Sequence, residues 1–391
     1  MTAHIGVGLI GYAFMGAAHS QAWRTAHRVF DLPLTPDMVA LCGRDEAKAR
    51  AAAGRLGWAS VETDWKALVA REDVGLVDIC TPGDSHAEIA VAALAAGKHV
   101  LCEKPLANTV AEAVAMAEAA RAARERGVRS MVAFNYRRVP ALALARKLIA
   151  DGRLGTIRHV RAQYLQDWIV DPDFPLVWRL DRAKAGSGAL GDIGAHIIDL
   201  AQFLTGDLIT GVSGVTETFI TERPLVAESS GLTAAGSAER GQVTVDDAAL
   251  FTARFAGGAL GSFEATRFAT GRKNAMRIEV NGSAGSVAFD FESMNELSFH
   301  DHTEGPDTAG FRRVLVTEGS HPYLSAWWPP GHGLGYEHAF THEVFDFVTA
   351  IAEERDPLPS FEDGLRVQRV LAAVETSAAR DSTWTSVEDA L

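Results

Sequence analysis

An aspartate and a histidine four residues apart form the pair with the clearest chemical potential in this sequence. Asp192 and His196 lie in a Gly/Ala-rich stretch, 185–196, at the start of a predicted helix that continues through Phe203. Residues four apart share one face of a helix. The histidine can take a hydroxyl proton as a general base while the carboxylate grips the same ligand. The alternative is that Asp192 caps the helix and His196 packs in the core.

A second stretch with chemical potential, Val-Leu-Cys-Glu-Lys-Pro at 100–105, predicts the end of a buried strand and the turn after it. An apolar run at 76–79 and a helical pattern at 86–96 precede it, so we expect a strand–helix–strand unit with parallel strands. In such sheets the working residues lie beyond the carboxyl ends of the strands. Lys104 could hold a hydroxyl there, although a Lys-Pro pair is also typical of a surface turn.

The first predicted strand, 4–10, runs into a GxAxxG turn made by Gly11, Ala13 and Gly16. Gly11 permits a tight turn, Ala13 still lets the backbone approach a pyrophosphate, and Gly16 lets the next helix pack on the strand. A GxGxxG register at 6–11 is rejected because its first two glycines would lie inside the strand. The placement of the turn favours dinucleotide binding.

The second predicted strand, 38–42, ends at Gly43, Arg44 and Asp45. Domains that bind NAD usually place an acidic residue here to hold the ribose hydroxyls. Gly43 makes room and Arg44 could pair with a 2′-phosphate, which leans towards NADP. Asp45 could act as a displaced acid or as a helix N-cap, the commoner role of aspartate at this position.

Strand and helix patterns alternate up to about residue 130, which predicts an α/β fold with a doubly wound parallel Rossmann sheet. Later candidate strands follow one another directly, so we expect a C-terminal α+β domain with a large, mostly antiparallel open sheet. The expected domains are 1–130, for dinucleotide binding, and 131–391, for substrate binding and oligomerisation. The open sheet favours a homodimer or homotetramer. A Gly/Ser/Ala-rich run, 228–241, predicts a mobile loop.

Composition excludes several classes of protein. The chain has 391 residues, 47% of them hydrophobic, and a formal charge of −13, with a mean hydropathy of +0.02. This describes a globular protein with more than one core, and nucleic-acid and membrane partners are not expected. The three cysteines show no CxxC spacing, which argues against disulfides and structural zinc. Because no signal-peptide pattern is present, we expect a cytoplasmic protein.

Aromatic and polar residues cluster upstream of the Asp192/His196 pair. The stretch 164–168 reads Tyr-Leu-Gln-Asp-Trp, and Trp178-Arg179 follows it. Such a mixture suits a polyhydroxylated ligand, although aromatic residues at strand ends are commonly core. His338 and His342, with Glu343 beside them, could indicate a metal. Because no third ligand stands at a convincing spacing, an ordinary helix surface and no metal site are predicted.

Together these motifs resemble the Gfo/Idh/MocA family of NAD(P)-dependent sugar and polyol oxidoreductases. The resemblance rests on the 11–16 turn, Thr81-Pro82, Glu103-Lys104-Pro105 and the stretch 186–196. It implies that Lys104 contacts the reacting hydroxyl and the cofactor ribose, that Asp192 orients the sugar, and that His196 takes the proton. Hydride would pass to the nicotinamide of the cofactor. The resemblance also implies that Glu103 braces its turn and that a cis bond precedes Pro105.

The candidate site residues follow from these observations. Those predicted to bind the cofactor lie in strand-end turns of the first domain: Gly11, Ala13, Phe14, Met15, Gly16, Gly43, Arg44, Thr81, Pro82, His86, Glu103 and Lys104. Those predicted to bind the substrate carry rings or hydrogen-bonding groups: Lys104, Tyr136, Gln166, Trp168, Arg179, Asp192 and His196.

Three functions are compatible with these candidates. The favoured one is a dehydrogenase acting on a pyranose, anhydrosugar or inositol. The second is a lyase or glycosidase that uses tightly held NAD transiently, and the third is a non-catalytic dinucleotide-binding regulator. Lys104, Asp192 and His196 together favour an enzyme, because a binding module would not need them.

Overall fold

The computed structural model describes residues 3–230 and 233–388. The chain divides into two compact units, which span Met1–Asn135 with Tyr336–Gln368, and Tyr136–Gly335 with Arg369–Leu391. Among the described residues, no helix combines the length and the apolar character that a bilayer crossing requires.

A six-stranded sheet forms the centre of the first unit, in the order β3-β2-β1-β4-β5-β6. All neighbouring strands are parallel. This order is that of a Rossmann sheet, so the predicted doubly wound fold is confirmed. The strands are β1 Ala3–Ile10, β2 Leu34–Cys42, β3 Ser60–Glu62, β4 Leu76–Ile79, β5 His99–Cys102 and β6 Ser130–Val132.

Helices alternate with these strands, and three of the five helices begin at a side-chain cap. The Asp45, Asp64 and Thr109 side chains each accept a hydrogen bond from an amide in the first turn of the helix that follows. Such caps stabilise the start of a helix, which is why the sequence located these helices to within a few residues. The helices are α1 Phe14–Val29, α2 Glu46–Leu56, α3 Trp65–Ala70, α4 His86–Ala95 and α5 Val110–Arg124.

A nine-stranded sheet dominates the second unit, in the order β16-β15-β14-β13-β7-β12-β11-β8-β17. Only the β7–β12 pair is parallel among the pairings described, so the expectation of a mostly antiparallel sheet is confirmed. The strands of this unit are β7 Ile157–Leu165, β8 Ile209–Glu217, β9 Glu222–Ser230, β10 Thr233–Gln242, β11 Ala248–Phe255, β12 Leu260–Thr266, β13 Ala275–Gly282, β14 Gly285–Asp290, β15 Glu296–Asp301, β16 Arg312–Leu315 and β17 Thr385–Ser386.

The segment predicted as a mobile loop is strand in its described part. β9 and β10 pair antiparallel, with Thr233 opposite Ser230 and Gln242 opposite Glu222. The loop prediction for 228–241 is therefore wrong there, while residues 231 and 232 lie outside the described residues. Strand pairing uses backbone groups, which Gly, Ser and Ala supply as well as other residues do, so composition gave no signal.

Three helices accompany the larger sheet: α6 Pro140–Ala150, α7 Arg182–Ala185 and α8 Ala195–Thr205. A single wide, π-helical turn, Leu190–Gly194, leads directly into α8. The predicted helix beginning near Asp192 is therefore present, but its first turn is wider than an α-helical turn. Such turns are found frequently at functional sites.

Two C-terminal helices change the division of the chain. In α9, Tyr336–Ala352, the side chains of Phe340 and Phe347 are buried in the same cluster as Trp23 of α1. The expected boundary placed every residue after 130 in the second domain, whereas residues 336–368 belong to the first compact unit. The last helix, α10 Phe361–Ala378, begins in the first unit and ends in the second. Packing between elements some 300 residues apart leaves no local signature in sequence.

Candidate active site

The glycine turn after β1 has the geometry that a dinucleotide pyrophosphate requires. Gly11 has a φ of +96°, and a Cβ there would lie 2.7 Å from the Cys80 carbonyl oxygen. A Cβ on Gly16 would lie 2.1 Å from the Gly11 carbonyl oxygen. Ala13 is the N-cap of α1 and has no side-chain oxygen to cover the first amides of the helix. Those amides can therefore hold an anion, so this turn fits the phosphates of a dinucleotide.

The other predicted residues of this turn follow Ala13 in the first turn of α1. Phe14 is 41% exposed and its ring stacks on Tyr336 at 6.3 Å, while Met15 packs against the core. The rejected glycines, Gly6 and Gly8, lie inside β1 as argued. The backbone of Asp73 packs directly over Gly6 and the side chain of Leu68 over Gly8, which leaves no room for a Cβ at either position.

The end of β2 shows why a glycine stands where an acid is usual. A Cβ on Gly43 would lie 2.0 Å from Cε1 of Tyr12. The absent side chain therefore makes room for the Tyr12 ring, which is a reason for Gly43 independent of any 2′-phosphate. The Asp45 side chain accepts from the Lys48 amide at 3.1 Å, so of its two open roles the structure shows the N-cap. Arg44 is exposed, and the lean towards NADP stays a prediction.

His86 links the turns that follow β4 and β5. It is 1% exposed, and its ring nitrogens lie 2.9 Å from the Thr81 carbonyl oxygen and 3.0 Å from the Pro105 carbonyl oxygen. Pro82 begins the short helical turn between β4 and α4. His86 therefore contacts the protein backbone through both ring nitrogens, which fits a residue that joins the two turns.

Lys104 stands at the second of these turns. Glu103 is 4% exposed, and its Oε2 accepts from the Lys104 amide at 2.9 Å. The Lys104–Pro105 bond is cis, as the resemblance implied. Glu103 thus supports the turn through a hydrogen bond to its backbone.

In the second unit, Asp246 shapes the wide turn that carries Asp192. Its carboxylate accepts from the Gly188 amide at 2.7 Å and from the Leu190 amide at 2.8 Å. A Cβ on Gly188 would lie 1.7 Å from the Asp246 carbonyl oxygen, so only glycine fits this close approach. Asp246 was not predicted from the sequence. The Asp246-Asp247 doublet just before β11 was a signal that could have indicated it, and both residues are buried in the structure.

His196 lies against two tyrosines. Its ring stacks on Tyr136 at 4.5 Å with an interplanar angle of 26°, and Tyr164 lies 5.9 Å away. The two tyrosine hydroxyls are 2.6 Å apart. His196 is 6% exposed, so its ring is held in one orientation by packing.

A row of hydrogen bonds extends from these tyrosines. Asn274 Oδ1 accepts from the Tyr164 hydroxyl at 2.7 Å and from Gln166 Nε2 at 2.8 Å. Gln166 Oε1 then accepts from the Trp168 indole at 3.0 Å. Nothing in the sequence around Asn274 pointed to this role, because its partners are more than 100 residues away.

Arg267 connects this row to Asp192. Its guanidinium lies 5.4 Å from the Trp168 ring centroid, and Nη1 lies 3.6 Å from Asp192 Oδ2. Arg267 is fully buried, whereas a quarter of the Asp192 side chain is exposed. The buried guanidinium attracts this carboxylate and limits its orientations. Arg267 was also missed by sequence reasoning.

The structure therefore brings together Tyr136, Gln166, Trp168, Asp192 and His196 through direct or shared contacts. Arg179 is the exception among the substrate candidates of this unit. Its guanidinium stacks on Trp178 at 4.4 Å, and its carbonyl oxygen is 3.5 Å from Arg267 Nη1. The arrangement combines a histidine base, an oriented carboxylate, aromatic rings and amide groups, which suits a polyhydroxylated ring.

The histidine pair on α9 lies only in part on a helix surface. His342 is fully buried with its ring 5.8 Å from that of Phe30, and Glu343 is 1% exposed. The prediction of an ordinary surface is wrong for His342, because α9 is covered by α1 along this side. His338 remains partly accessible beside Glu337.

Comparisons with known proteins agree with this geometry. Residues 5–134 match the model described as "Oxidoreductase family, NAD-binding Rossmann fold", and residues 142–288 match the "GFO/IDH/MocA C-terminal domain". The chain is 43% identical to levoglucosan dehydrogenase of Pseudarthrobacter phenanthrenivorans over 389 residues, 98% of each protein.

Solved structures extend the likeness to the whole fold. An oxidoreductase domain protein from Kribbella flavida is 70% identical with a TM-score of 0.94, covering 98% of this chain and 99% of its own. Levoglucosan dehydrogenase in complex with NADH and levoglucosan is 43% identical with a TM-score of 0.92 and the same coverage.

Proposed function

This chain belongs to the Gfo/Idh/MocA family of oxidoreductases, and we propose that it oxidises a hydroxyl of a pyranose or anhydrosugar, with levoglucosan as the first candidate. The nicotinamide dinucleotide is the hydride acceptor. The observation that carries the proposal is the second unit's group of His196, Asp192 and their tyrosine, glutamine and tryptophan neighbours. Full-length similarity to levoglucosan dehydrogenase supports the choice of substrate.

The proposed chemistry assigns one task to each of three catalytic residues. His196 takes the hydroxyl proton while the adjacent carbon gives up its hydride, so the alcohol becomes a carbonyl. Asp192, beside buried Arg267, accepts hydrogen bonds from the sugar and fixes its orientation. Lys104 holds the reacting oxygen and stabilises the charge that develops there. A bound nicotinamide dinucleotide would supply the electrophilic carbon that receives the hydride.

NAD is the cofactor we place first. The family model is that of an NAD-binding fold, and the related levoglucosan dehydrogenase was solved with NADH. The first-unit residues named above fit a dinucleotide at the Gly11–Gly16 turn. Because Tyr12 accounts for Gly43, only Arg44 still argues for NADP.

Steady-state turnover with levoglucosan, glucose and an inositol, each with NAD and with NADP, tests the proposal. We expect one reduced cofactor for each oxidised sugar, and the highest kcat/KM for levoglucosan with NAD. Product without net cofactor reduction would instead favour the lyase or glycosidase function. Cofactor binding without any turnover would favour the regulator.

A matched pair of lysine variants sharpens this test. Lys104→Met should lower kcat by about 10²–10³-fold, because a donor aimed at the reacting oxygen is removed. Lys66→Met, on an exposed lysine of α3, should leave kcat unchanged. Equal activities of the two variants would contradict the role of Lys104.

The proposal includes a homodimer or homotetramer formed through the nine-stranded sheet. Val215, Leu250 and Leu260 are each about half exposed on this sheet, and a second copy of the chain would cover them. Light scattering should give a multiple of the 41.8 kDa chain mass, and Leu250→Arg should reduce it. We also propose a cytoplasmic location, supported by three buried free thiols and testable by cell fractionation.

A further inference from the structure

A buried histidine in the first unit is held between two carboxylates. His19, on α1, is 1% exposed, and its Nδ1 lies 3.0 Å from both oxygens of Asp78. Its Nε2 lies 3.0 Å from Oε1 of Glu103. Ionised carboxylates only accept hydrogen bonds, so both ring nitrogens donate when His19 is an imidazolium. Charge-assisted hydrogen bonds of this kind are stronger than neutral ones.

Each carboxylate also has a second donor. The Trp23 indole donates to Asp78 Oδ2 at 2.6 Å. The Lys104 amide donates to Glu103 Oε2 at 2.9 Å. A continuous path of hydrogen bonds therefore runs from Asp78 through His19 and Glu103 to the backbone of Lys104.

The surroundings favour the protonated ring. Burial alone would lower the pKa of His19, but the Asp78 carboxylate outweighs burial and that pKa lies well above its ordinary value. Glu103 faces the other edge of the ring and acts in the same direction. The aromatic ring of Phe340 lies 5.4 Å away and contributes no charge.

A metal ion is the competing explanation, because donor atoms of His19, Asp78 and Cys80 lie within 4.8 Å of one another. Both ring nitrogens of His19, however, lie at hydrogen-bond distance from carboxylates. Burial, with Asp78 next, also raises the pKa of the Cys80 thiol, which disfavours the thiolate that a metal would need. A protonated His19 between two carboxylates explains the cluster better than a metal ion does.

We propose that His19 is a positioning residue that holds Glu103, and through Glu103 the backbone of Lys104, in place for the reaction. The proposal rests on the function proposed above, in which Lys104 contacts the reacting hydroxyl. Because His19 is almost fully buried, it is assigned to act through Glu103 and not by contact with substrate or cofactor. Its loss takes one hydrogen-bond donor away from the buried Glu103 carboxylate, so the carboxylate shifts or takes up a proton and the turn moves with it.

Two variants separate positioning from general stability. His19→Gln keeps a polar side chain but cannot donate to both carboxylates, and we expect kcat to fall about 10²-fold, the cost of a displacement near 1 Å at the reacting group. KM for the sugar and Kd for NADH should change far less than kcat. Trp23→Phe, the matched control, removes the indole donor to Asp78. It should lower Tm and leave kcat within about threefold.

Equal losses of kcat in the two variants would overturn the proposal, as would an unchanged kcat in His19→Gln. Nitrogen-edited histidine NMR of the wild-type protein supplies a readout that needs no activity. We expect both His19 nitrogens to remain protonated at about pH 8, where an ordinary histidine is neutral. A neutral His19 ring at that pH would also overturn it.

The outcomes distinguish this proposal from the one on which it rests. If the wild-type protein oxidises no sugar, the proposed function fails and the positioning role fails with it. If the wild-type protein is active and only the comparison of His19→Gln with Trp23→Phe fails, the positioning role alone is wrong.

Discussion

The two sheets of this protein present functional groups in different ways. In the first unit all four residues of β4 are buried, Asp78 included, as expected for a parallel sheet covered by helices on both faces. In the second unit β11 alternates between buried and exposed residues along most of its length. The mixed sheet therefore has one covered and one accessible face.

This difference decides where chemistry can be placed. Because both faces of the parallel sheet are covered, only the turns at its strand ends are available for a site. The backbone holds the site residues there, Gly11 through its positive φ and Lys104 through the hydrogen bond that its amide donates. In the second unit, by contrast, neighbouring side chains themselves form the site. Tyr164, Gln166 and Trp168 alternate along one stretch of chain and share a row of hydrogen bonds with Asn274.

Removal of one side chain from the second unit should give the largest effect. We expect His196→Ala to lower kcat by about 10³-fold, because a general base contributes 10²–10⁴-fold. Kd for NADH, measured by tryptophan fluorescence, should stay unchanged. His159→Ala, in β7 of the same unit, serves as the control and should keep its activity. Turnover of the His196 variant near the wild-type level would remove the basis for this assignment.

Addition of one methyl group to the first unit tests the role of its backbone. Gly43→Ala would place a Cβ against the Tyr12 ring, and we expect NADH to bind about tenfold more weakly, because the ring must move at the end of β2. Fluorescence titration measures this. Gly54→Ala, in helix α2 where a Cβ meets nothing within 4 Å, should instead stabilise the protein by about 0.5–1 kcal/mol. Unaltered NADH binding by Gly43→Ala would mean that Tyr12 lies outside the cofactor site.

Asn274→Ala should give the smallest effect on function. It removes the acceptor shared by Tyr164 and Gln166, and we expect KM for the sugar to rise about five- to tenfold, since one hydrogen bond contributes about 1 kcal/mol. Gln163→Ala is the matched control, because this residue alternates with Tyr164 on β7 and donates to Glu264 instead. A similar rise of KM in both variants would show that the row of hydrogen bonds does not select the substrate.

Local signals predicted much of the fold. Apolar runs bounded by turns located the strands of the Rossmann sheet, and capping residues such as Thr109 marked where helices begin. Some strands were hidden from such signals. β15 and β17 were not anticipated, and the part of the β9–β10 pair within 228–241 was predicted as a loop because its composition is small and polar.

The site residues also divide into those that the local sequence indicates and those that it does not. Sequence singled out Lys104, Asp192 and His196 because a charged residue beyond a strand end, or an Asp/His pair on one helix face, is readable over a few residues. Arg267 and Asn274 were not found, because each acts through partners far away along the chain. His342 was misjudged for a related reason, since only the packing of α9 on α1 buries it.

The sequence by itself determined most elements of this protein, their order and the residue types available for chemistry, because caps, turns and periodicity depend on neighbours along the chain. Tertiary structure alone decided that residues 336–368 join the first unit, that Arg267 lies beside Asp192, and that His19 is held between Asp78 and Glu103. These outcomes depend on burial and on contacts between distant segments. In such buried places an unpaired charge or an unsatisfied hydrogen-bonding group destabilises the fold most.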